Sequence, residues 1–276
     1  MEIFGLSIKI NNNGTWVTPV PYVKVSDSWA KVKRIYTKVS GTWRTIYEYG
    51  SVYTFSVAEH VDVDLDTLGL DKYHNVRVVI PSGAVLVAST TSTYALKTGT
   101  GYTGTLTIEN NGKILGRGGR GGHGGNSSAS FPRLVGQAGT DGGVAIHVEV
   151  AVTIDNNSTL SGGGSGGGGT GGAEYYAGLS NAYVGGKGGG GGVPYGTKGY
   201  GGTGTNGTGS YGTDATQTAI GIGGGTTSPI AGNGGAVGSD GVAGEAPPNA
   251  NFGSSGAAGA AGATYYNPSS FTVTQI

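Results

Sequence analysis

The chain has 276 residues, a formal net charge of zero at pH 7 and no cysteine. The balanced charge gives no reason to expect nucleic acid or an anionic membrane as a partner, and the lack of cysteine excludes disulfides and thiolate metal sites. No run of 18 apolar residues could span a bilayer, and no basic segment followed by an apolar stretch opens the chain. We therefore expect no membrane insertion and no signal peptide.

Residues 1–56 alternate turn-forming residues with β-branched and aromatic runs, which predicts a small antiparallel β module. Its three tryptophans, Trp16, Trp29 and Trp43, each follow a short turn. A module of this size buries three tryptophans poorly. Two interpretations stay open: a tryptophan-rich core, or side chains that face a partner chain, where tryptophan contributes strongly to binding.

Residues 57–115 predict a second β-rich region. Val61, Val63 and Leu65 alternate with three aspartates, which is typical of a half-solvated strand. The aspartates alone do not indicate calcium, because no EF-hand pattern surrounds them, and the four histidines have no metal-ligand spacing. We predict no metal and no cofactor.

Residues 107–116 recur as 153–162, and this repeat predicts that a strand, an Asn-Asn turn and a glycine run form one unit used twice in layers.

From residue 116 onward, many glycines recur at every third position, for example Gly116, Gly119 and Gly122. This period matches a polyproline-II helix and neither an α-helix nor a strand. Such a helix has no internal hydrogen bonds, so its amides must bond to neighbouring runs. We predict a packed sandwich and not a flexible glycine linker. Eight runs are recognisable, near 116–125, 136–143, 162–172, 185–192, 196–204, 221–225, 232–244 and 253–262.

Packing of bare backbones has consequences for single residues. Runs with two glycines in three would lie in the middle of the stack, and runs such as 253–262 would lie outside. Valine at Gly189 or Gly235 should prevent close packing, whereas Lys187→Ala should be nearly silent.

Only seven carboxylates follow residue 115, and no spacing of ionisable residues forms a catalytic constellation. We expect no enzyme.

The order of these features resembles a known family. The tryptophan-rich β module, the segment 110–122 and the glycine blocks separated by loops are together similar to the receptor-recognising adhesin at the tip of the long tail fibres of T-even-type bacteriophages. The resemblance covers essentially the whole chain. It implies a mostly β or irregular fold in three parts: a fibre-attachment module at 1–56, a β-rich connecting region at 57–115, and a sandwich of polyglycine-II helices at 116–276.

The resemblance also implies roles and partners. The N-terminal module would cap the trimeric distal long-tail-fibre protein, one copy per trimer, with Trp16, Trp29 and Trp43 as fibre contacts. The loops at the distal end would bind an outer-membrane protein of the bacterial host and start adsorption. Those loops are 126–135, 173–184, 205–220 and 245–252, whereas 193–195 and 226–231 would face back toward the fibre.

Candidate receptor contacts come from the aromatic and polar residues of these loops. They are Phe131, Arg133, Tyr175, Tyr176, Tyr183, Tyr211, Asp214, Asn249 and Phe252. Tyrosine supplies contact area at a low entropic cost, although each ring could instead pack on its own sandwich. Two other functions stay open. One is a structural or chaperone protein of fibre assembly with a glycine spacer, and the other is an envelope enzyme such as a polysaccharide depolymerase.

Overall fold

The computed structural model describes residues 50–130, 134–177, 180–246 and 253–276, together with six short strands between residues 10 and 48. Within 10–48 and 175–181, only the backbone is described. The described chain is mostly strands and irregular segments, and its one helix is the short 3-10 helix Leu65–Leu68. The expectation of a mostly β and irregular protein is therefore confirmed.

Three antiparallel hairpins form the N-terminal part, as the turn pattern predicted. They pair β1 (Ile10–Asn12) with β2 (Thr15–Val17), β3 (Tyr22–Val25) with β4 (Ser28–Lys31), and β5 (Arg34–Val39) with β6 (Thr42–Glu48). Trp16, Trp29 and Trp43 lie in the second strand of their hairpins. Their side chains lie outside the described part of the chain.

Three parallel sheets follow, and the chain visits them in turn. The first contains β7 (Gly50–Thr54), β10 (Asn75–Ile80), β13 (Leu106–Asn110), β16 (Val152–Asn156) and β21 (Val273–Gln275). The second contains β8 (Glu59–Val61), β11 (Val85–Val87), β14 (Lys113–Leu115) and β17 (Thr159–Ser161). The third contains β9 (Val63–Asp64), β12 (Leu96–Lys97), β15 (Ile146–His147) and β20 (Tyr265–Tyr266). Because all these pairings are parallel, the strands stack coil on coil into a three-sided parallel β-helix, which we call the sheet body.

Aliphatic side chains fill the interior of the sheet body. Inward-pointing residues stack in register from coil to coil, in the rows Val76, Leu106, Val152 and Val78, Ile108, Ile154. Each of the six is at most 3% exposed. Full burial of such a side chain contributes about 1.5–3 kcal/mol, so this column is a main source of stability.

The two copies of the sequence repeat pair with each other in the register of this stack. Thr107 pairs with Thr153 and Asn110 with Asn156 between β13 and β16, and Ile114 pairs with Leu160 between β14 and β17. The two copies therefore lie one above the other in successive coils, and the predicted layering is confirmed.

The sheet body extends beyond the boundaries that we placed at residues 56 and 115. β7, assigned to the N-terminal module, pairs with β10, and the strands at 146–161 and 265–275 continue the same sheets. The glycine-rich residues are two insertions, 116–145 and 162–264, between the second and third sheets. Several of these strands are only two or three residues long, too short to show a period of two in the sequence.

The predicted strand of alternating aspartates is a corner of the sheet body. Asp62 lies between β8 and β9 with a φ of 49°, which no strand residue adopts. The aspartates have structural partners: Asp62 accepts the backbone N–H of Ser89 at 2.8 Å, Asp64 caps the 3-10 helix and accepts Lys97 Nζ at 3.0 Å, and Asp66 accepts the N–H of Thr100 at 3.1 Å.

Ten glycine-rich runs lie side by side and form what we call the glycine body. They are 116–127, 134–143, 162–172, 185–193, 196–204, 207–215, 221–225, 231–236, 239–245 and 253–263. The sequence showed only eight. Run 207–215 was missed, and the expected run 232–244 is two antiparallel runs joined by a turn at Gly238, whose φ is 67°. Gly238 keeps the threefold spacing across the turn, so the turn was invisible in the glycine pattern.

Hydrogen bonds between the runs repeat every three residues. The amides of Gly119, Gly122 and Gly125 donate to the carbonyls of Gly164, Gly167 and Thr170 at 2.8–2.9 Å. Run 162–172 is buried throughout and bonds in this way to six other runs, namely 116–127, 134–143, 185–193, 231–236, 239–245 and 253–263. A Cβ atom on Gly166 would overlap the carbonyl oxygen of Arg120. As expected, the glycine-only stretches lie in the middle, and run 253–263 lies at the surface.

Candidate functional site

The glycine body has two ends with different surroundings. Runs 116–127 and 162–172 start directly after β14 and β17 and run parallel, because the amide of Gly116 donates to Ser161 and that of Gly125 to Thr170. The end next to these strands is the near end, and the opposite end is the far end. Every further run crosses from one end to the other, so the connections alternate between them.

Turns at the near end contact the sheet body. Tyr195 donates its hydroxyl to the carboxylate of Glu59, and Gln217 donates to the same carboxylate at 3.0 Å. The amide of Gly238, in another near-end turn, donates to the carbonyl of Gly162, the first residue after β17, at 3.0 Å. The segment 193–195 therefore faces back toward the sheet body, away from the far end. The predicted loop 205–220 is instead a far-end turn at 204–207, the run 207–215 and a near-end turn at 216–220.

The far end carries five connections. They are the segment after residue 127, the hairpin of β18 (Ala173–Ala177) with β19 (Ser180–Val184), the turn at 204–207, the loop 225–230, and the segment after residue 245. The expectation that 226–231 faces back toward the fibre is wrong. One run, 221–225, separates this loop from the near-end turn at 216–220, so the loop lies at the far end.

Hydrogen bonds tie these far-end connections to one another. Ser127, which is 2% exposed, donates its hydroxyl to the carbonyl of Ala173 at 2.8 Å. Asn206 accepts the backbone N–H of Tyr183 on its side-chain oxygen at 2.8 Å and donates its own N–H to the Tyr183 carbonyl at 2.9 Å. The side chain of Asn126 accepts the N–H of Thr203 at 2.8 Å. The hairpin and the neighbouring turn are thus fixed on the packed runs beneath them.

Lys187 fastens the loop 225–230. It is the one side chain in the run 185–192, and its ammonium group donates to the carbonyl of Thr227. A cavity of about 220 Å³ lies beside it, lined in part by Thr170, Val184 and Pro229. Burial lowers the pKa of Lys187, and the negative charge of Glu245 opposes this shift. The expectation that Lys187→Ala is nearly silent does not fit this anchoring contact.

The predicted receptor residues fall into three groups. Four of them lie outside the described residues, namely Phe131, Arg133, Asn249 and Phe252. For Tyr175 and Tyr176 only the backbone is described, and it forms part of β18. Tyr183 lies half-buried in β19 at the far end. Tyr211 and Asp214 belong to run 207–215 and not to a loop, so both lie on the flank of the glycine body.

On this flank Tyr211 belongs to a small aromatic cluster. Its ring makes an edge contact with Tyr200 at 5.5 Å between centroids, and Tyr200 stacks on His123 at 5.2 Å. His123 accepts the N–H of Tyr200 on Nδ1, and burial together with the charge of Arg120 lowers the pKa of His123. Asp214 accepts the N–H of Lys198 at 2.8 Å. The sequence did not point to Tyr200 or Lys187, because neither belongs to a recognisable loop.

Ionisable side chains of the sheet body form ion pairs with one another, for example Lys97 with Asp64 at 3.0 Å. In the part of the chain that the structure describes, no group of three or more His, Asp or Glu residues could hold a metal ion. No helix of the described ranges is long and apolar enough to cross a membrane. The described residues form a packed support with several tied loops at one end, an arrangement typical of binding proteins.

Comparisons with known proteins agree with this class. The family model described as "Phage tail fibre adhesin Gp38" matches residues 52–276. The chain is also similar to a chain in the crystal structure of the gp37-gp38 adhesin tip complex of the bacteriophage S16 long tail fibre. There the identity is 26%, the TM-score is 0.53, and the match covers 83% of this chain and 79% of the other. Among curated protein sequences, nothing matches. The chain belongs to the Gp38 family of phage tail fibre adhesins.

Proposed function

We propose that this chain sits at the distal tip of a phage long tail fibre, caps the trimeric distal fibre protein, and binds an outer-membrane protein of the host to start adsorption. The observation that carries the proposal is the far end of the glycine body, where five connections of the chain meet and hydrogen bonds tie together the parts of them that the structure describes. The similar S16 protein forms a tip complex with gp37, which supports a fibre protein as the partner here.

The far end suits recognition of a receptor. Its loops rest on buried runs and bond to one another through Asn126, Ser127 and Asn206, so little loop entropy is lost on binding. Tyr175, Tyr176 and Tyr183 lie in the hairpin that this network holds in place. Tyrosines on a fixed support make an effective binding surface. Phe131, Arg133, Asn249 and Phe252 lie outside the described residues and stay candidates from the sequence for the same surface, and Tyr211 and Asp214 are not part of it.

The runs themselves are proposed to be polyglycine-II helices. The three-residue repeat of their hydrogen bonds and the six partners of run 162–172 support this conformation, since the helix has three residues per turn and bonds outward in all directions. Numerous Cα–H···O contacts between bare backbones would add to the stability of the bundle. Backbone dihedral angles near −75° and +145° in a crystal structure would establish it.

The chain is proposed to act by binding and not by catalysis. To test this, residues 175–182 at the tip of the far-end hairpin are replaced by a short Asn-Gly turn, and adsorption of phage to host cells is measured. We expect adsorption to fall to the level of fibreless phage, with an unchanged melting temperature of the purified chain. The matched control replaces the near-end turn 216–220, apart from Gln217, with Gly and Ser, and should leave adsorption intact.

Two outcomes would contradict the proposal. Unchanged adsorption after replacement of the far-end tip would favour a structural or chaperone role with a glycine spacer. Release of sugar from purified surface polysaccharide by the intact chain would favour an enzyme. A pull-down of detergent-solubilised outer-membrane proteins with the intact chain then identifies the receptor directly.

A further inference from the structure

A cavity of about 220 Å³ lies between two far-end connections, the hairpin of β18 with β19 and the loop 225–230. Buried residues form its floor, among them Thr170, Ala173 and Gly185. Thr227 and Ser228, which are exposed, form its rim, so the cavity opens at the surface of the far end. Pockets for small molecules typically measure about 300–1,000 Å³. This cavity is smaller and matches a single side chain of a partner.

The ammonium group of Lys187 gives this cavity a positive charge that only neutral oxygens contact. It donates to the backbone carbonyl of Thr227, and the Thr227 hydroxyl lies 3.4 Å away. Lys72, Lys97 and Lys198, by contrast, each pair with an aspartate. Among the described residues, no carboxylate forms an ion pair with Lys187. Because a partly buried charge without an opposite charge is costly, an anion that enters the cavity would stabilise it.

The contacts around Lys187 hold the site in shape before any partner arrives. The backbone N–H of Lys187 donates to the hydroxyl oxygen of Thr170 at 2.8 Å, and the N–H of Thr170 donates to the Lys187 carbonyl at 2.9 Å. A Cβ atom on Gly225 would overlap the lysine stem, so the loop leaves room for that stem because residue 225 is glycine. In the described ranges no acceptor takes the hydroxyl hydrogen of Thr170. The cavity therefore offers two donors, an ammonium group and a hydroxyl group.

A carboxylate on a short aliphatic stem has the chemistry that this cavity fits. One ammonium group balances one carboxylate, and the second carboxylate oxygen can accept the hydroxyl. Ala173, Val184 and Pro229 give the cavity apolar walls for the methylene groups of the stem. A phosphate group fits less well, because it carries up to two charges and is usually held by arginine clusters or helix N-termini. The nearby carboxylate of Glu245 further disfavours a second negative charge.

We propose that the cavity beside Lys187 receives the side chain of a glutamate or aspartate from an extracellular loop of the host outer-membrane protein. Lys187 is then a specificity-determining residue of the adhesin. This inference rests on the proposed receptor binding by the far end and adds the chemistry that the far end selects. A receptor with a neutral side chain at that place would leave the ammonium group buried and unpaired, and such a mismatch is a strong source of discrimination.

The test measures binding of the purified intact chain to outer-membrane vesicles of the host. Lys187→Met should weaken binding by about 30-fold, as expected for the loss of one member of a buried charge pair. Glu245→Gln should have the opposite effect and strengthen binding by about threefold. It keeps a side-chain oxygen for the N–H of Ile230 and removes the negative charge that repels an incoming carboxylate. Lys198→Met, on the flank of the glycine body, is the control and should change binding by less than about twofold.

Glu245→Gln keeps the test informative even if Lys187→Met disturbs the fold, because a lysine that merely anchors the loop 225–230 predicts no gain in binding. Carbodiimide treatment of the vesicle-bound chain joins an amine to a carboxylate in direct contact with it. Mass spectrometry should therefore find Lys187 linked to a glutamate or aspartate of an outer-membrane protein.

Three outcomes separate this inference from the proposed function. Unchanged binding in both Lys187→Met and Glu245→Gln would overturn the inference. If Lys187→Met lost binding to vesicles of purified lipopolysaccharide and kept binding to outer-membrane protein, the occupant would be a phosphate group, which also overturns it. Unchanged binding after replacement of the far-end hairpin tip would instead overturn the proposed receptor surface itself.

Discussion

The side chain of Asn110 donates to the side-chain oxygen of Asn156 across 2.7 Å, one coil further along the sheet body. Asn110 is fully buried, and the same amide nitrogen also donates to the carbonyl of Thr159 at 3.1 Å. These contacts lie where the chain turns from the first sheet to the second, directly before glycine run 116–127. Two coils are therefore joined by a polar contact in a mainly aliphatic interior, and this contact fixes the corner that leads into β14 and β17, after which two of the glycine runs start.

Asn110→Ala is expected to lower the free energy of unfolding by about 1–3 kcal/mol, because it leaves the Thr159 carbonyl without its buried donor. Thermal or urea unfolding of the purified chain measures the loss. Asn157→Ala is the matched control, since Asn157 is exposed and should change stability by less than about 0.5 kcal/mol. Equal effects of the two substitutions would show that the buried contact contributes nothing specific.

Gly189→Ala tests the close packing of the glycine body. A Cβ atom there would overlap the backbone carbonyl of Gly167, and a backbone carbonyl within a packed run has no room to move away. We expect a loss of about 4 kcal/mol or more, seen as insoluble or unfolded protein. Gly207→Ala is the control, because the nearest atom to a Cβ there is a Val184 methyl group at 3.8 Å. A soluble Gly189→Ala chain with an unchanged melting temperature would contradict close packing.

The sequence predicted the sheet register and the existence of the runs, because both follow from local periodicity. The repeat at 107–116 and 153–162 reappears as the coil-to-coil pairing, and the threefold glycine spacing reappears as the hydrogen-bond repeat. The third sheet was missed, because strands such as Ile146–His147 have two residues and carry no period. The corner at Asp62 resembled a strand, because a single residue with a φ of 49° leaves the alternation of side-chain types unchanged.

The prediction of which end each loop occupies was partly wrong, and the reason differs from that for the missed sheet. Each run carries the chain from one end of the glycine body to the other, so one missed run assigns the next loop to the wrong end. Because run 207–215 was overlooked, the loop 226–231 was assigned to the near end. The turn at Gly238 was also overlooked, and this second error cancelled the first. The loop after residue 245 was therefore assigned to the correct end. The positions of single candidates such as Tyr211 depend on this count and could not be obtained from local sequence.

Lys187→Met should loosen the loop 225–230 without unfolding the chain. The substitution keeps the aliphatic stem and removes the ammonium group that donates to Thr227, which costs about 1 kcal/mol of local stability. Amide hydrogen exchange in 225–230 should become about fivefold faster. Lys198→Met is the control, because the partly exposed pair of Lys198 with Asp214 at 3.8 Å contributes little. Unchanged exchange in Lys187→Met would mean that the loop is held by its own backbone.

Asp62 gives the sheet body a defined response to acid. Burial disfavours its ionised form, but hydrogen bonds from Ser89 and Thr93 outweigh burial and hold the pKa of Asp62 below its usual value of 3.8. A group with a lowered pKa in the folded state contributes stability above its unfolded pKa and loses it as pH falls through the folded pKa. The stability difference between the unaltered chain and Asp62→Asn should therefore be constant near neutral pH and shrink below about pH 4.

Asparagine is the suitable replacement at this corner, because it tolerates a positive φ and keeps a side-chain oxygen for the N–H of Ser89. Urea unfolding at a series of pH values from 3 to 7 measures the difference. A difference that stays constant down to pH 3 would show that the carboxylate is not stabilised by its contacts.

Tyr211→Ala separates the flank of the glycine body from its far end. Tyr211 is 54% exposed and packs edge-on against Tyr200, so its removal should cost about 0.5–1.5 kcal/mol of stability. Because it lies on run 207–215 and not among the far-end connections, adsorption to host cells should stay within about twofold of the unaltered phage. Asn206→Ala provides the contrast, since it releases the backbone of Tyr183 at the far end and should reduce adsorption by about tenfold, as expected for a lost anchoring contact of about 1.4 kcal/mol. Loss of adsorption in Tyr211→Ala with full adsorption in Asn206→Ala would place the receptor surface on the flank.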